Sequence, residues 1–362
     1  MGLALAFFCG VGRAASAAPV EAQFLESKVA LPGVLLNSIA TDANGSTWFS
    51  GEQRLRIVAP GGQPSEVRTP RPALTRDLLS APQGILWAAG HAIDGITPGG
   101  ESFEYRLKNR HARVGAIAAG REGELWYEVS RRDARGQVQA EIDRRPPSGK
   151  ISRVRLPRRS GVGGMAVGPD GSLWISEDGP GPPKIGHVAT TGQVTEFPLP
   201  RQNRIPGSIA VGPDGNLWFG ESYAHLPKAS TAWIGKITPA GVIEEFAIPG
   251  ATVTAEVTAG PDGDVWFVTR EALASTQPEA IDSITPGGEP AQPSCVDAKC
   301  ELVPADIAVG LGGALWVVAT PNIAGPGGGG TGIVRMEFAR EAGSVIGKFA
   351  PPPQTIAVEA PG

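Results

Sequence analysis

Two glutamates stand at the same place in two successive segments of this chain. Glu177 lies three residues after Trp174 in "GSLWISED", and Glu221 lies three residues after Trp218 in "GNLWFGES". Carboxylate oxygens are the ligands that Mg²⁺ and Ca²⁺ prefer, so two glutamates at one register could share such an ion. We therefore predict a Mg²⁺ or Ca²⁺ ion beside Glu177 and Glu221. The alternative is that each glutamate is simply solvated at the end of a strand.

The segment after Glu221 adds side chains that could carry protons or contact a ligand. The string "SYAHLPKASTAW" contains Tyr223, His225 and Trp233. Imidazole titrates near neutral pH, and a phenol can transfer a proton when it is suitably placed. We predict that Tyr223 and His225 join the glutamates Glu177 and Glu221 in a catalytic group, and that Trp233 binds a ligand. The alternative for Trp233 is that it packs beneath its own loop.

A tryptophan repeat indicates which elements must position these residues. The pattern G-x-x-W occurs seven times, at Trp48, Trp87, Trp126, Trp174, Trp218, Trp266 and Trp316. The spacings are 39, 39, 48, 44, 48 and 50 residues, which is typical of one propeller blade. One period contains four short β-prone strings, "SIAV", "NLWFGES", "WIGKITP" and "IEEFAIP". The sequence therefore predicts an all-β fold, a seven-bladed β-propeller of four-stranded antiparallel blades.

The string "GPDG" before several of these tryptophans predicts a tight turn between the first and second strands of a blade, with glycine in the left-handed position. The tryptophan itself is predicted to be a core wedge between neighbouring blades. All second strands of a propeller end at the same rim. Glu177, Glu221, Tyr223 and His225 are therefore expected at one mouth of the central channel.

Composition and the N-terminal segment bear on location and partners. The 362 residues carry a net charge of −4 and are 41% hydrophobic, and no apolar run reaches the roughly 18 residues of a membrane helix. The string "MGLALAFFCGVGRAASAAPVEA" predicts a signal peptide over residues 1–18, with the propeller over 19–362. We expect a secreted or periplasmic monomer that binds no nucleic acid and has no membrane span. In such a compartment, Cys295 and Cys300 are expected to form a disulfide.

Two features of the blades allow more than one interpretation. The outermost strand of the last blade could come from "AQFLESKVALP" near the N-terminus or from "SVIGKFAP" at residues 344–351. Residues 131–159, in the third blade, hold ten Lys or Arg against three acidic residues. This charge could form a solvated outer edge that deters pairing between sheets, or it could contact an acidic polysaccharide or envelope surface.

The string "GPDGNLWFGES" and the later "WIGKITPAGVIEEFAIP" resemble the repeat of the streptogramin B lyase (virginiamycin B lyase) family. The resemblance covers essentially the whole chain after the predicted signal peptide. Lyases of this family open a cyclic depsipeptide antibiotic by elimination at its ester, with magnesium. The resemblance implies a glutamate three residues after a blade tryptophan, which Glu177 and Glu221 match. It also implies a later metal-binding glutamate, which corresponds to Glu196 in "VTEF" and to Glu244 or Glu245 in "IEEF".

The resemblance further implies a histidine five residues after the tryptophan in two adjacent blades, and this chain departs from that pattern. The seven residues at this position are Gln53, Ala92, Arg131, Gly179, Tyr223, Glu271 and Pro321. Elimination needs a base and an acid, roles that imidazole suits. The missing pair argues for the scaffold and against that reaction, unless Tyr223 or His225 substitutes.

These observations together predict a propeller that binds a small molecule, such as a lactone, another cyclic ester or a glycan, at one channel mouth. One alternative is an active ring-opening lyase or lactonase that uses a divalent cation. A further alternative is a non-catalytic propeller that binds a protein or a glycan at the same rim.

Overall fold

The structure is a computed structural model that describes most of the chain between residues 27 and 337. The described residues are 27–31, 36–42, 44–51, 54–60, 62, 64–67, 77–81, 84–90, 92–105, 107, 113–132, 138–156, 161–178, 181–223, 231–248, 251, 253–270, 280–291, 302–310, 313–321 and 331–337. No stretch among them forms an apolar helix of membrane-spanning length.

The regular structure of the described residues consists of 27 strands, each antiparallel to its neighbours. The strands are β1 Ser27–Leu31, β2 Leu36–Thr41, β3 Thr47–Gly51, β4 Arg54–Val58, β5 Ser65–Val67, β6 Asp77–Ser80, β7 Leu86–Ala89, β8 Ile93–Ile96, β9 Ser102–Tyr105, β10 Arg113–Ala119, β11 Leu125–Arg132, β12 Val138–Arg145, β13 Ser152–Val154, β14 Gly161–Val167, β15 Leu173–Asp178, β16 Lys184–Val188, β17 Val194–Pro198, β18 Arg204–Val211, β19 Leu217–Tyr223, β20 Ala232–Ile237, β21 Ile243–Ile248, β22 Val253–Ala259, β23 Val265–Arg270, β24 Ala280–Ile284, β25 Leu302–Val309, β26 Ala314–Pro321 and β27 Thr331–Glu337.

These strands form seven blades, each of which runs from an inner strand at the channel to an outer strand. Blades one to five are β2–β5, β6–β9, β10–β13, β14–β17 and β18–β21. Blade six contains β22, β23 and β24, and a bridge between Ile284 and Pro290 stands in the fourth place. Blade seven contains β25, β26 and β27, with β1 outermost. The predicted seven-bladed propeller is confirmed.

The "GPDG" string builds the turn before the second strand in blades four, five and six, and also fixes the tryptophan. Gly215 has a φ of 77°, a left-handed conformation that glycine adopts without a steric penalty. Asp214 Oδ1 accepts a hydrogen bond from the indole Nε1 of Trp218 at 3.1 Å, and an equivalent bond occurs in blades one and six. A Cβ at Gly212 would lie 2.4 Å from Trp218 Cδ1. Each residue of the motif therefore has a structural role.

The repeated tryptophans are wedges between blades, as the sequence predicts. Trp126, Trp174 and Trp218 are at most 1% exposed. Trp174 of blade four shares a core cluster with Phe219 of blade five, and Trp218 shares one with Phe267 of blade six. The tryptophan of a second strand thus faces the next blade, and the residue after it faces the previous blade. Large buried aromatic surfaces of this kind dominate core energetics.

Polar side chains on the inner strands join one blade to the next. Asp306 Oδ2 accepts a hydrogen bond from the Ile39 N–H at 2.8 Å, across the closure between blades seven and one. Ser38 Oγ accepts a bond from the Leu78 N–H at 3.2 Å, which links blades one and two. These bonds tie backbone donors of one inner strand to side chains of the neighbouring blade.

The N-terminal segment closes the ring. Strand β1 pairs with β27 over five residues, from Ser27 opposite Arg335 to Leu31 opposite Thr331. Of the two segments that could supply the outermost strand of blade seven, the structure therefore uses the first. Residues 344–351 lie outside the described part of the chain.

Candidate functional site

Blade five presents several candidate functional side chains at the rim where the second strands end. Strand β18 begins at Arg204, which is paired with Tyr223 at the end of β19. Glu221 is paired with Trp233 near the start of β20. Paired residues share one face of a sheet, as do residues two apart on a strand. Glu221 and Trp233 therefore face the same way as Phe219, which packs against blade four.

Two guanidinium groups lie on the aromatic rings at this rim. Arg201 Cζ lies 3.8 Å from the centroid of the Trp233 ring, and Arg204 Cζ lies 4.8 Å from it. Arg204 Cζ is also 4.2 Å from the centroid of the Tyr223 ring, and its Nη2 donates a hydrogen bond to Tyr223 Oη at 3.3 Å. A cation over an aromatic face is stabilised by the charge distribution of the ring. Trp233, the predicted ligand-binding residue, therefore already contacts two cations.

Two carboxylates complete this group, and their environments differ. Glu245 forms an ion pair with Arg201, whereas Glu221 is fully buried. Burial raises the pKa of Glu221 to about 8, and the negative charge of Glu245 adds to the shift against the opposing effects of Arg204 and Arg201. Glu221 consequently holds a proton at neutral pH. The blade-five cluster is Arg201, Arg204, Glu221, Tyr223, Trp233 and Glu245.

Blade four has a different group at the equivalent register. Lys184 Nζ lies 2.8 Å from Glu196 Oε1 and 3.7 Å from Glu177 Oε2. Glu177 is 1% exposed and lies two residues after Ile175, which packs against blade three. Glu177 therefore lies between blades three and four, whereas Glu221 lies between blades four and five. The blade-four cluster is Glu177, Lys184 and Glu196.

The glutamates predicted as metal ligands lie beside cationic side chains. Lys184 lies next to Glu177 and Glu196, and Arg201 pairs with Glu245. Within the described ranges, no group of three or more His, Cys, Asp or Glu side chains could hold a metal ion. The Mg²⁺ or Ca²⁺ ion remains a prediction from the sequence.

Several sequence predictions fall on residues outside the described part of the chain. These residues are His225, both cysteines of the predicted disulfide, Cys295 and Cys300, and the predicted signal peptide at residues 1–18. Tyr223 is described, and it lies at the rim in contact with Arg204.

A second polar region lies in the central channel. The seven inner strands line a cavity of about 690 Å³, into which Asp77, Glu256 and Asp306 project. Each acid stands two residues before the residue that pairs with the blade tryptophan. Burial raises the pKa of Asp77 to about 7, and the charge of Glu256 adds to that shift. The same two causes raise the pKa of Asp306 well above its usual range.

Sequence reasoning missed Arg201, Arg204 and the channel acids. An alignment of the seven repeats on their tryptophans would have shown acids at one inner-strand position in blades two, six and seven. No comparable signal marks Arg204. It reaches Tyr223 because the two residues are paired on β18 and β19, beyond a register shift that five other inner strands share.

Part of the positive charge of the third blade is engaged by side chains of the same blade. Arg153 Nε lies 2.7 Å from Asp143 Oδ1, and Arg153 Nη1 lies 3.2 Å from Glu141 Oε2. Arg144 Cζ lies 5.2 Å from the centroid of the Trp126 ring. These contacts use four of the charged residues within the blade itself.

Comparison with known proteins relates this fold and site to a family. Residues 137–325, more than half of the chain, match the virginiamycin B lyase family. A streptogramin B lyase structure is similar with 24% identity and a TM-score of 0.66, over 87% of this chain and 98% of its own. The structure of a catalytically inactive virginiamycin B lyase from Staphylococcus aureus with quinupristin is similar with 25% identity and a TM-score of 0.68. That match covers 88% of this chain and 100% of the other.

A more distant structure, a puromycin hydrolase, shares the fold at 14% identity and a TM-score of 0.61, over 85% of this chain and 52% of its own. No curated protein matches the sequence. The family match covers blades four and five with their two clusters, and the two lyase structures cover most of the propeller. This chain belongs to the virginiamycin B lyase family.

Proposed function

We propose that this chain is a secreted or periplasmic propeller that binds a small molecule, a lactone or other cyclic ester, at the rim between blades four and five. The observation that carries the proposal is the blade-five cluster, in which the rings of Trp233 and Tyr223 and two guanidinium groups converge at one rim. Small-molecule sites typically combine aromatic surface with a few placed polar groups. A relative binds such a molecule, since its structure is that of a lyase with quinupristin.

The residue at the position of the family histidine, Tyr223, supports ligand binding without the elimination reaction. The family resemblance implies histidine where Tyr223 stands, and none of the seven blades has histidine there. Phenols are weaker general bases than imidazole near neutral pH. Tyr223 is also engaged as the acceptor of a hydrogen bond from Arg204. Its geometry suits a structural or ligand-contacting role better than proton abstraction.

Calorimetric titration with quinupristin tests the proposed site. We expect the wild-type protein to bind it and Trp233→Ala to lower the affinity by about tenfold or more, as for a central aromatic contact. Phe103→Ala is the matched control, because Phe103 is an exposed aromatic residue in blade two. Absence of binding by the wild type, or equal loss in both variants, would contradict the assignment.

A second candidate is ring opening, and Glu221 is the observation that favours it. A glutamate with a pKa of about 8 can donate a proton near neutral pH, as a general acid does. Mass spectrometry of quinupristin after incubation separates the possibilities. Elimination yields a linear product of unchanged mass, whereas hydrolysis adds one water. Turnover of about 1 s⁻¹ or faster that Glu221→Gln abolishes would establish an enzyme in place of a binding protein.

A further inference from the structure

Arg204 is a buried cation whose hydrogen-bonding capacity is only partly used. Its exposure is 3%, and its Nη2 donates to Tyr223 Oη at 3.3 Å. Nε and Nη1 are also buried, and neither meets a hydrogen-bond acceptor among the residues that the structure describes. Buried polar groups almost always have hydrogen-bond partners, and an unpaired charged donor is costly. The guanidinium group therefore has donors for a further acceptor.

The charges around Arg204 favour an acceptor that is negative. Arg201 lies over the same Trp233 ring and forms an ion pair with Glu245. Burial lowers the pKa of Arg204 and the like charge of Arg201 adds to the shift, whereas Tyr223, Glu221 and Glu245 oppose it. Glu221, with a pKa of about 8, is mostly protonated at neutral pH and supplies little negative charge. Two cations of the blade-five cluster then face one ionised carboxylate.

The outer part of the cluster provides a charged approach from solvent. The Arg201 side chain is 43% exposed, whereas Arg204 is enclosed between the rings of Tyr223 and Trp233. An anion attracted by Arg201 would therefore meet Arg204 deeper in the same group. Guanidinium groups bind carboxylates through short, charge-assisted hydrogen bonds.

We propose that Arg204 recognises a carboxylate on the ligand, of the kind that a cyclic ester releases when its ring is opened. In elimination, a base removes a proton from the carbon next to the alkyl carbon, and the electrons of that C–H bond form a C=C double bond. The bond between the alkyl carbon and the ester oxygen breaks, so that oxygen leaves with the electron pair as part of a carboxylate. Hydrolysis adds water at the carbonyl carbon and yields a carboxylate and an alcohol. Either route produces the same anionic group. This inference rests on the proposed small-molecule site and specifies that the opened acid binds better than the closed ester.

Titration of the intact protein with two forms of one compound tests this preference. The probes are quinupristin and its linear acid, prepared by chemical hydrolysis of the ester. We expect the wild type to bind the linear acid about tenfold more tightly or better, the effect of one charge-assisted hydrogen bond. Arg204→Met should lower the affinity for the linear acid about tenfold more than the affinity for the closed ester, so that the preference disappears. Arg54→Met, which removes an exposed arginine from an ion pair in blade one, should keep the preference.

The outcomes separate this inference from the proposed function. Binding of both forms with equal affinity, or a preference that survives Arg204→Met, overturns carboxylate recognition and leaves the small-molecule site standing. Absence of binding by either form overturns the site and the inference together. If Arg204→Met does not fold, Arg204→Lys provides the test, because it keeps the charge and loses the planar donor geometry. A weakened preference in that variant supports the inference, and an unchanged preference contradicts it.

Competition by acetate but not by phosphate at equal ionic strength supports a carboxylate site, and stronger competition by phosphate overturns it.

Discussion

The blade-four and blade-five clusters occupy the same register of the repeat, and each contains glutamates at the same two positions. The side chains that surround these glutamates differ between the two blades. In blade four, one lysine lies beside both glutamates, with Lys184 Nζ 2.8 Å from Glu196 and 3.7 Å from Glu177. In blade five, two arginines stack on Trp233, and Glu221 is buried with a raised pKa. Blade four has a compact ion-pair group, and blade five has an aromatic and cationic site.

This difference shows that the position of a glutamate does not by itself specify its chemistry. The carboxylates that follow Trp174 and Trp218 point into separate interfaces, because each faces the blade before it. Their neighbours on the third strand then decide their role: a lysine in blade four and a tryptophan in blade five. A repeat protein can thus keep one scaffold position and change its function through the strand next to it.

The largest loss of stability is expected when the cation of the blade-four cluster is removed. Lys184→Met leaves Glu177 and Glu196 without the cation that lies between them, and removal of one partner from a buried ion pair typically costs about 3–5 kcal/mol. Arg204→Met in blade five should cost less, because Glu221 already carries a proton at neutral pH. Urea unfolding of both variants measures the two losses. Equal losses would show that the two clusters are energetically alike.

A second test uses pH to separate the clusters. Glu221 has an ordinary pKa of 4.5 and a folded-state pKa of about 8. Between these values the folded protein binds more protons at this site than the unfolded chain, so stability falls as pH rises and levels off above the folded pKa. Glu221→Gln removes this dependence on pH. The free energy of unfolding of Glu221→Gln relative to that of wild type should therefore rise by up to about 1.4 kcal/mol per pH unit between the two pKa values.

Urea unfolding of wild type and Glu221→Gln across this pH range measures the effect. The control Glu66→Gln changes a half-exposed glutamate of blade one and should run parallel to wild type. A Glu221→Gln profile that is also parallel to wild type would show that Glu221 is ionised in the folded protein.

The channel acids provide a third region for comparison, with carboxylates near one another. The charge of Glu256 raises the pKa of both Asp77 and Asp306, after burial. Glu256→Gln should therefore raise stability at pH 8 by about 1 kcal/mol, or the melting temperature by about 2 °C. The gain should shrink below pH 7, where Asp77 gains a proton. Calorimetry at both pH values tests this, and a destabilised variant would indicate that Glu256 has a favourable structural role.

The smallest effect is expected for an ion pair at the surface of blade five. Lys236 Nζ lies 2.6 Å from Glu244 Oε2, but the Glu244 side chain is 52% exposed. Exposed pairs contribute about 0–1 kcal/mol, so Lys236→Met should cost far less than Lys184→Met. The two unfolding curves can be compared directly. A comparable loss would mean that burial does not account for the strength of the blade-four cluster.

Much of the architecture could be predicted because its signals are local. The turn before each second strand depends on residues within four positions of Trp218, including Asp214 and Gly215. The position of Glu221 relative to that tryptophan followed from strand alternation. The partners of these glutamates could not be predicted, because Lys184 and Arg201 come from other strands or loops, and neither stands at a position that the repeat marks.

The sequence by itself determined the number of blades, the turn and wedge of each blade, the family, and the register of Glu177 and Glu221. These properties depend on spacing along one chain segment, which the repeat states seven times. Only the tertiary structure decided that β1 closes the ring, that the two glutamates lie in different interfaces, and that Arg204 is enclosed by Tyr223 and Trp233. Such outcomes depend on pairing between segments from opposite ends of the described chain and on how neighbouring side chains pack, because these contacts join residues that the repeat does not mark.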